Sequence, residues 1–213
     1  MRGREWACWT VCLLIVLSAA ACGNKRAPDA RAVVRRAADH YSGVRRLAMT
    51  YNVTVTMSIP VGGNQRSRTR SFPYKLYFTV PDRLRMSYAG SKVLSFSLSD
   101  LRSRSTLAVS DPGFSPIVLA SELLDGFQMA SNSENLAYER RHKLADREVD
   151  VVLLTTSGLA IRLFVDQSGY LRRYECVKRS TEKAGPEAAT LTWTFDLANE
   201  TEKPPSPHDF FGR

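Results

Sequence analysis

The chain predicts an α+β fold in which one N-terminal helix is followed by an antiparallel meander of about eight to ten strands. Three observations carry this. Met49, Tyr51, Val53, Val55, Met57 and Ile59 alternate strictly with Thr50, Asn52, Thr54, Thr56 and Ser58, the period-two mark of a strand with one buried and one wet face. Later stretches alternate in the same way and are separated by short turn-forming clusters, which favours antiparallel neighbours. Ahead of them, residues 30–47 place Val33, Val34, Ala37, Ala38, Tyr41 and Val44 at helical spacing, with Arg31, Arg35, Arg36 and Asp39 opposite.

The elements follow in order. Asp29 is suited to cap the helix, and Ser42-Gly43 to fray its end. Residues 60–64, with Gly62-Gly63, form a turn. Phe72, Tyr74, Leu76, Phe78 and Val80 make the next strand, in which Pro73 lacks a ladder donor and so marks an edge or a bulge. After Pro81-Asp82, Leu84, Met86 and Tyr88 alternate with arginine and serine; after residues 89–91, Leu94, Phe96 and Leu98 alternate with serines. A weaker strand covers 106–109. Residues 117–125 read as a short helix stopped by Gly126, and 132–135 as a polar loop. Strands then cover 148–156, 159–166, 170–178 and 191–197, the first two joined by a Ser157-Gly158 turn. The proline-rich tail is extended and ends on Phe210-Phe211, placed to pack back on the sheet. So many half-buried strands need a cover, and a sheet curled partly around the helices supplies it. There is no internal repeat and no second domain.

The first residues carry a different signal. Arg2 and Arg4 precede an apolar run from Trp6 to Leu17, broken only by Thr10, and Leu17-Ser18-Ala19-Ala20-Ala21 leads to Cys22. The run is too short for a spanning helix, which takes about 20 apolar residues. Small side chains let a peptidase approach the backbone. This arrangement resembles a bacterial lipoprotein signal peptide, in which the cysteine becomes the lipidated first residue, although Ala19 stands where that class has a large aliphatic side chain. An ordinary secretory leader cut near Ala21 is the alternative. The predicted organisation is a leader over 1–21, a tether over 22–29 and one domain over 30–213. Gly23, rather than Asp, follows Cys22, which favours the outer membrane, facing the periplasm.

The chain of 213 residues carries a formal charge of +9. Residues 1–21 hold Arg2, Arg4 and Glu5, so the remainder carries +8. Outside the cytoplasm that balance points to anionic lipid headgroups or an acidic partner rather than to nucleic acid. Once Cys8 and Cys12 leave with the leader and Cys22 takes lipid, Cys176 stands alone in an alternating stretch and reads as a buried, inert thiol. His40, His142 and His208 have no metal-ligand spacing. Neither a Gly-rich phosphate loop, a Gly-x-Ser-x-Gly elbow nor a CxxC pair is present. Asp82, Asp100 and Asp166 sit at turns, where Asp bonds its own backbone. The chain therefore reads as no enzyme, with no cofactor and no metal, although carboxylates distant in sequence can still meet in a fold.

The order of elements resembles the outer-membrane lipoprotein carrier family, with its LolA/LolB-like fold. The likeness rests on the opening helix followed by Tyr51-Asn52-Val53-Thr54-Val55, and on Pro81-Asp82-Arg83-Leu84-Arg85-Met86. It continues through Glu122-Leu123-Leu124-Asp125-Gly126, through Leu163-Phe164-Val165-Asp166 with Tyr170-Leu171-Arg172-Arg173, and through Pro204-Pro205. Leu101 replaces the glycine that often follows Ser99-Asp100 in that family, and no aromatic strand comes after it. The resemblance implies an incomplete antiparallel β-barrel, a half-barrel of about 8–11 strands. Its N-terminal helix and short mid-chain helix would cover the concave face of an apolar cavity that takes acyl chains or lipoproteins. Tyr51, Val53, Val55, Met57, Leu84, Met86, Phe96 and Leu98 are the expected cavity lining, and Cys22 the lipid attachment point. The alternation of these residues is satisfied equally by a filled core. The function expected is carriage, reception or sensing of a hydrophobic ligand. A regulatory or scaffold lipoprotein that binds an acidic envelope protein, as some members of this fold bind an anti-sigma factor, is the other reading. Residues 114–119 are the one loop that resembles a protrusion for handing lipid to a membrane.

Overall fold

The computed structural model describes residues 28–61, 63–79, 83–88, 93–97, 134–156, 159–179 and 188–212. Helix α1 spans Ala30–Tyr41. Nine strands follow: β1 Arg46–Val61, β2 Asn64–Thr79, β3 Arg83–Tyr88, β4 Leu94–Ser97, β5 Leu136–Leu144, β6 Arg147–Thr156, β7 Leu159–Asp166, β8 Leu171–Arg179 and β9 Thr190–Thr201. A short helix α2, Pro207–Phe211, ends the chain. The strands form one sheet in the order β4-β3-β2-β1-β9-β8-β7-β6-β5, every neighbouring pair antiparallel. Among the described residues the sheet is open, with β4 and β5 as its edges. Among the described residues nine antiparallel strands stand within the expected range of eight to ten. The expected mid-chain helix, the weak strand over 106–109 and the 114–119 loop lie outside the described residues, as do the leader and Cys22.

Asp29 caps α1 as expected, accepting from the Arg31 N–H at 3.1 Å. The helix is shorter than its apolar spacing suggested. It stops at Tyr41, Gly43 takes φ 81° and β1 already begins at Arg46. Leu47 therefore belongs to a strand; a left-handed glycine ends a helix whatever apolar residues follow it. The extended tail expected over 203–207 gives way at Pro207 to a short helix that carries Phe210-Phe211. Ser206 accepts from the Asp209 N–H, Pro207 opens a turn of helix and Gly212 closes it at φ 73°. The tail does pack back: the Tyr77 ring lies 5.8 Å from Phe210 and 6.5 Å from Phe211, and Lys75 Nζ donates to the Phe210 carbonyl at 2.8 Å. Pro73 sits one residue beyond Tyr74, the last β2 position that pairs with β3. The missing donor therefore falls where, among the described residues, β2 has no outer neighbour.

The two faces of the sheet carry different covers. The inner face holds Leu47, Met49, Tyr51, Val53, Tyr74, Leu76, Phe78, Leu84, Met86, Tyr174 and Phe195, all buried in one cluster with Val33, Val34, Ala37 and Tyr41 of α1. The helix rests on β5, β6 and β7. Each fully buried aliphatic or aromatic side chain contributes about 1.5–3 kcal/mol relative to exposure. The outer face carries α2 over Tyr77 and a smaller buried cluster of Val149, Val151 and Phe164.

Candidate functional site

The register builds the inner face in rows. Phe72, Val53, Phe195 and Tyr174 lie side by side across β2, β1, β9 and β8; the next row toward the β1–β2 turn is Arg70, Val55, Trp193 and Cys176, and the next is Arg68, Met57, Leu191 and Lys178. Beyond them Ile59 faces Arg66 and Val61 faces Asn64. Side chains opposite one another in an antiparallel pair point to the same face, so one apolar track runs along β1. Its floor at the buried end is aromatic. Phe195 meets Tyr51, Tyr74 and Tyr174 edge-on at 6.3, 5.9 and 5.7 Å, and Trp193 stacks on Phe195 at 6.1 Å with 15° between the rings. Such pairs add about 0.5–1.5 kcal/mol each beyond area burial. Tyr51 O–H donates to Met49 Sδ at 3.2 Å and Tyr74 O–H to Met86 Sδ at 3.5 Å, so thioethers receive the buried phenols.

Burial falls along the track. Tyr51 and Val53 are buried, Val55 is half-buried, Met57 is 45 % exposed, and Ile59 and Val61 are exposed. The expected lining residues thus divide. Tyr51, Val53, Val55 and Met57 form the track. Leu84 and Met86 are buried on the same face but align with Phe78 and Leu76, nearer the opposite end. Phe96 pairs with Leu84 in β4. Leu98 lies outside the described residues. Trp193 was not among the expected lining, although Leu191, Trp193, Phe195 and Leu197 alternate with Thr192, Thr194 and Asp196. Its indole N–H is buried on this face with no hydrogen-bond partner among the described residues. Cys176 is buried beside it, and burial pushes its thiol up to about 12. A thiol of that kind is an apolar wall, not a nucleophile.

Two polar clusters fix the end of the face that α1 covers. Asp150, with a fully buried side chain, accepts from Arg36 Nη2 at 2.7 Å, Arg141 Nε at 3.1 Å, Tyr138 O–H at 3.2 Å and Gln167 Nε2 at 3.2 Å. Burial pushes its carboxyl up, but the hydrogen bonds from Arg36 and Arg141 outweigh that and hold it below the usual range. The cluster ties α1 to β5, β6 and the β7–β8 turn. The second cluster centres on Glu200 of β9. Tyr41 O–H donates to Glu200 Oε2 at 3.1 Å, the Leu171 N–H donates to the Tyr41 oxygen at 3.2 Å, and His40 Nε2 stands 3.7 Å from Glu200 Oε1. Burial pushes the Glu200 carboxyl up to about 7 and holds His40 below its ordinary value. Asp166 behaves as a turn aspartate should: its Oδ1 accepts from the Ser168 and Tyr170 N–H groups at 2.9 and 3.0 Å. Asp82 and Asp100 lie outside the described residues. Among the described residues no cluster of three or more His, Cys, Asp or Glu could hold a metal ion. A separate cleft of about 340 Å³ lies against α2, lined by Arg85, Val93, Ser95, Pro207, His208 and Phe211.

No family model and no curated protein matches the sequence. Among solved structures the chain is similar to a domain described as an outer membrane lipoprotein-sorting protein from Vibrio parahaemolyticus, at 10 % identity, covering 84 % of this chain and 95 % of that one, with a TM-score of 0.30. It is similar to a LolA superfamily protein from Nitrosomonas europaea at 10 % identity, covering 86 % and 98 %, with a TM-score of 0.26. It is also similar to a DUF1329 family protein from Desulfovibrio piger at 12 % identity, covering 86 % and 97 %, with a TM-score of 0.29. No helix of the described residues is long and apolar enough to cross a membrane.

Proposed function

We propose that this chain is a lipid-anchored cell-envelope protein that binds an acyl chain along the inner-face track, in the carriage, reception or sensing of lipoproteins. Cys22 carries the anchor, and the domain faces the periplasm from the outer membrane. The observation that carries the reading is the continuity of the track. Apolar side chains run without interruption from buried Val53 through half-buried Val55, beside Trp193, to exposed Met57, Ile59 and Val61. That is roughly 25 Å of strand. Acyl methylenes laid there gain about 0.8 kcal/mol each on leaving water, and Met57 can adapt its shape to the chain. No catalytic group is needed for such binding, and the inert Cys176 thiol agrees with that.

Residues 1–21 include Trp6 and Trp9, so after leader removal Trp193 is the sole tryptophan, a reporter set in the track. The chain from residue 22 onward, carrying Cys22→Ser, titrated with a fatty acid brominated along its acyl chain, is expected to show saturable quenching of Trp193. Val55→Asp should weaken it at least tenfold, a charge in the track being far costlier than a lost contact. Thr54→Asp, on the opposite face, should leave it unchanged. Absence of saturable quenching below the micellar concentration would overturn the proposal.

A further inference from the structure

The tip of the β1–β2 hairpin has a composition that an acyl-binding track does not require. On the inner face Met57, Ile59 and Val61 are exposed, and directly across the ladder stand Arg68, Arg66 and Asn64, with Arg70 opposite Val55. One strand is apolar and its neighbour, about 4.8 Å away, is cationic. The other face of the same hairpin is a hydroxyl ladder, in which Thr54 meets Ser71 at 3.2 Å, Thr56 meets Thr69 at 3.2 Å and Ser58 meets Ser67 at 2.9 Å. Gly63, at φ 80°, closes the turn between Val61 and Asn64. Among the described residues the arginines are not neutralised from within. Ion pairs among the described residues engage Arg36, Arg141, Arg147, Arg162, Arg172 and Arg173, and none engages Arg66, Arg68 or Arg70.

We propose that this hairpin docks on an anionic lipid bilayer, Met57, Ile59 and Val61 entering the boundary between headgroups and acyl chains while Arg66, Arg68 and Arg70 pair with lipid phosphates. A bilayer interface presents an apolar and an anionic phase within a few ångströms, the same pairing that the two strands carry. Arginine matches phosphate with a planar fork and buries its stem along apolar surface. Arginines on a free strand also deter edge-to-edge pairing, and among the described residues β2 before Tyr74 is such an edge, but that role leaves three exposed apolar side chains on the adjoining strand without a purpose. A second copy of the chain fits less well: pairing two β2 edges brings arginine rows together, and like charges across strands repel.

Docking is separable from acyl binding and is tested without a fatty acid. The chain from residue 22 onward, carrying Cys22→Ser and so free of the apolar leader with Trp6 and Trp9, is sedimented with sucrose-loaded vesicles of phosphatidylcholine with 30 % phosphatidylglycerol, and with phosphatidylcholine alone. Binding is expected only to the anionic vesicles and to weaken as salt rises. Replacing Arg66, Arg68 and Arg70 together by Gln should weaken it roughly 100-fold, each cation near an anionic surface contributing about fivefold. Ser67→Gln with Thr69→Gln, on the hydroxyl face, should not. Ile59→Trp in a Trp193→Phe background should shift its emission to the blue on anionic vesicles. Equal binding to neutral vesicles, full binding by the arginine variant, or a dimer in sedimentation equilibrium that the arginine variant abolishes without vesicle binding would each overturn the proposal. A chain that docks but takes up no fatty acid refutes the acyl reading alone, and the reverse result refutes docking alone.

Discussion

Replacing Glu200 by Gln should make the fold more stable, by an amount that grows as pH rises from about 4.5 to about 7. Glu200 is buried under α1, where burial pushes its carboxyl from 4.5 up to about 7, partly countered by the Tyr41 hydrogen bond. A carboxyl whose folded value is raised binds its proton more tightly in the folded state. Its contribution is full below about pH 4.5, falls as pH rises and is gone above about pH 7. The shift corresponds to about 3 kcal/mol. Gln cannot ionise, and its amide oxygen can still accept from Tyr41. The variant should therefore match the parent near pH 4 and exceed it by about 2–3 kcal/mol at pH 8, roughly 6–10 °C in melting temperature for a domain of this size. His40 works in the opposite sense, because burial lowers its value and penalises its protonation on folding. At pH 8 it is neutral in both proteins, so the comparison is made there. Urea unfolding of parent and variant from pH 4 to pH 8 supplies the numbers. A difference that does not vary with pH, or a variant weaker at pH 8, would refute the reasoning.

The other side-chain predictions concern the attachment of α1. Asp150→Asn leaves Arg36 and Arg141 without their buried counter-charge and should destabilise the fold by about 2–3 kcal/mol in urea unfolding at pH 7; a loss under 0.5 kcal/mol would show that the cluster does not hold the helix. Gly169→Ala places a methyl 2.6 Å from the Arg36 carbonyl oxygen and 2.7 Å from the His40 Cβ at φ 89°, so backbone strain and collision add and the loss should exceed about 2 kcal/mol. Gly43→Ala, at φ 81° with open space around the new methyl, should cost only about 1 kcal/mol. Equal losses at the two glycines would mean that the contact between α1 and the β7–β8 turn is loose.

Much of the fold was legible wherever the two faces of a strand meet different surroundings. β1 alternates because one face lies on the inner cluster and the other carries the hydroxyl ladder. The signal fades where both faces are wet. Asn64–Ser71 of β2 holds no apolar side chain, is exposed throughout and is held by cross-strand pairing; β5, Leu136–Leu144, was not recognisable because the polar run Glu139–Lys143 interrupts its alternation, although Leu136, Tyr138 and Leu144 pack against the buried clusters. The clusters around Asp150 and Glu200 join residues more than 100 positions apart, and local pattern cannot report such meetings. For the site, alternation assigned Tyr51, Val53, Val55 and Met57 to one face. It gave no measure of how burial declines along that face, and the arginine row became visible only when register set it beside Met57 and Ile59.

The account turns on whether the track holds an acyl chain. Native mass spectrometry of the Cys22→Ser chain, purified without detergent and followed by lipid extraction, tests this directly. The account predicts a bound species whose extra mass is an extractable acyl lipid, retained in Thr54→Asp and lost in Val55→Asp. A ligand-free mass that stays unchanged when lipopeptide is offered would contradict it and mark the inner face as a filled core.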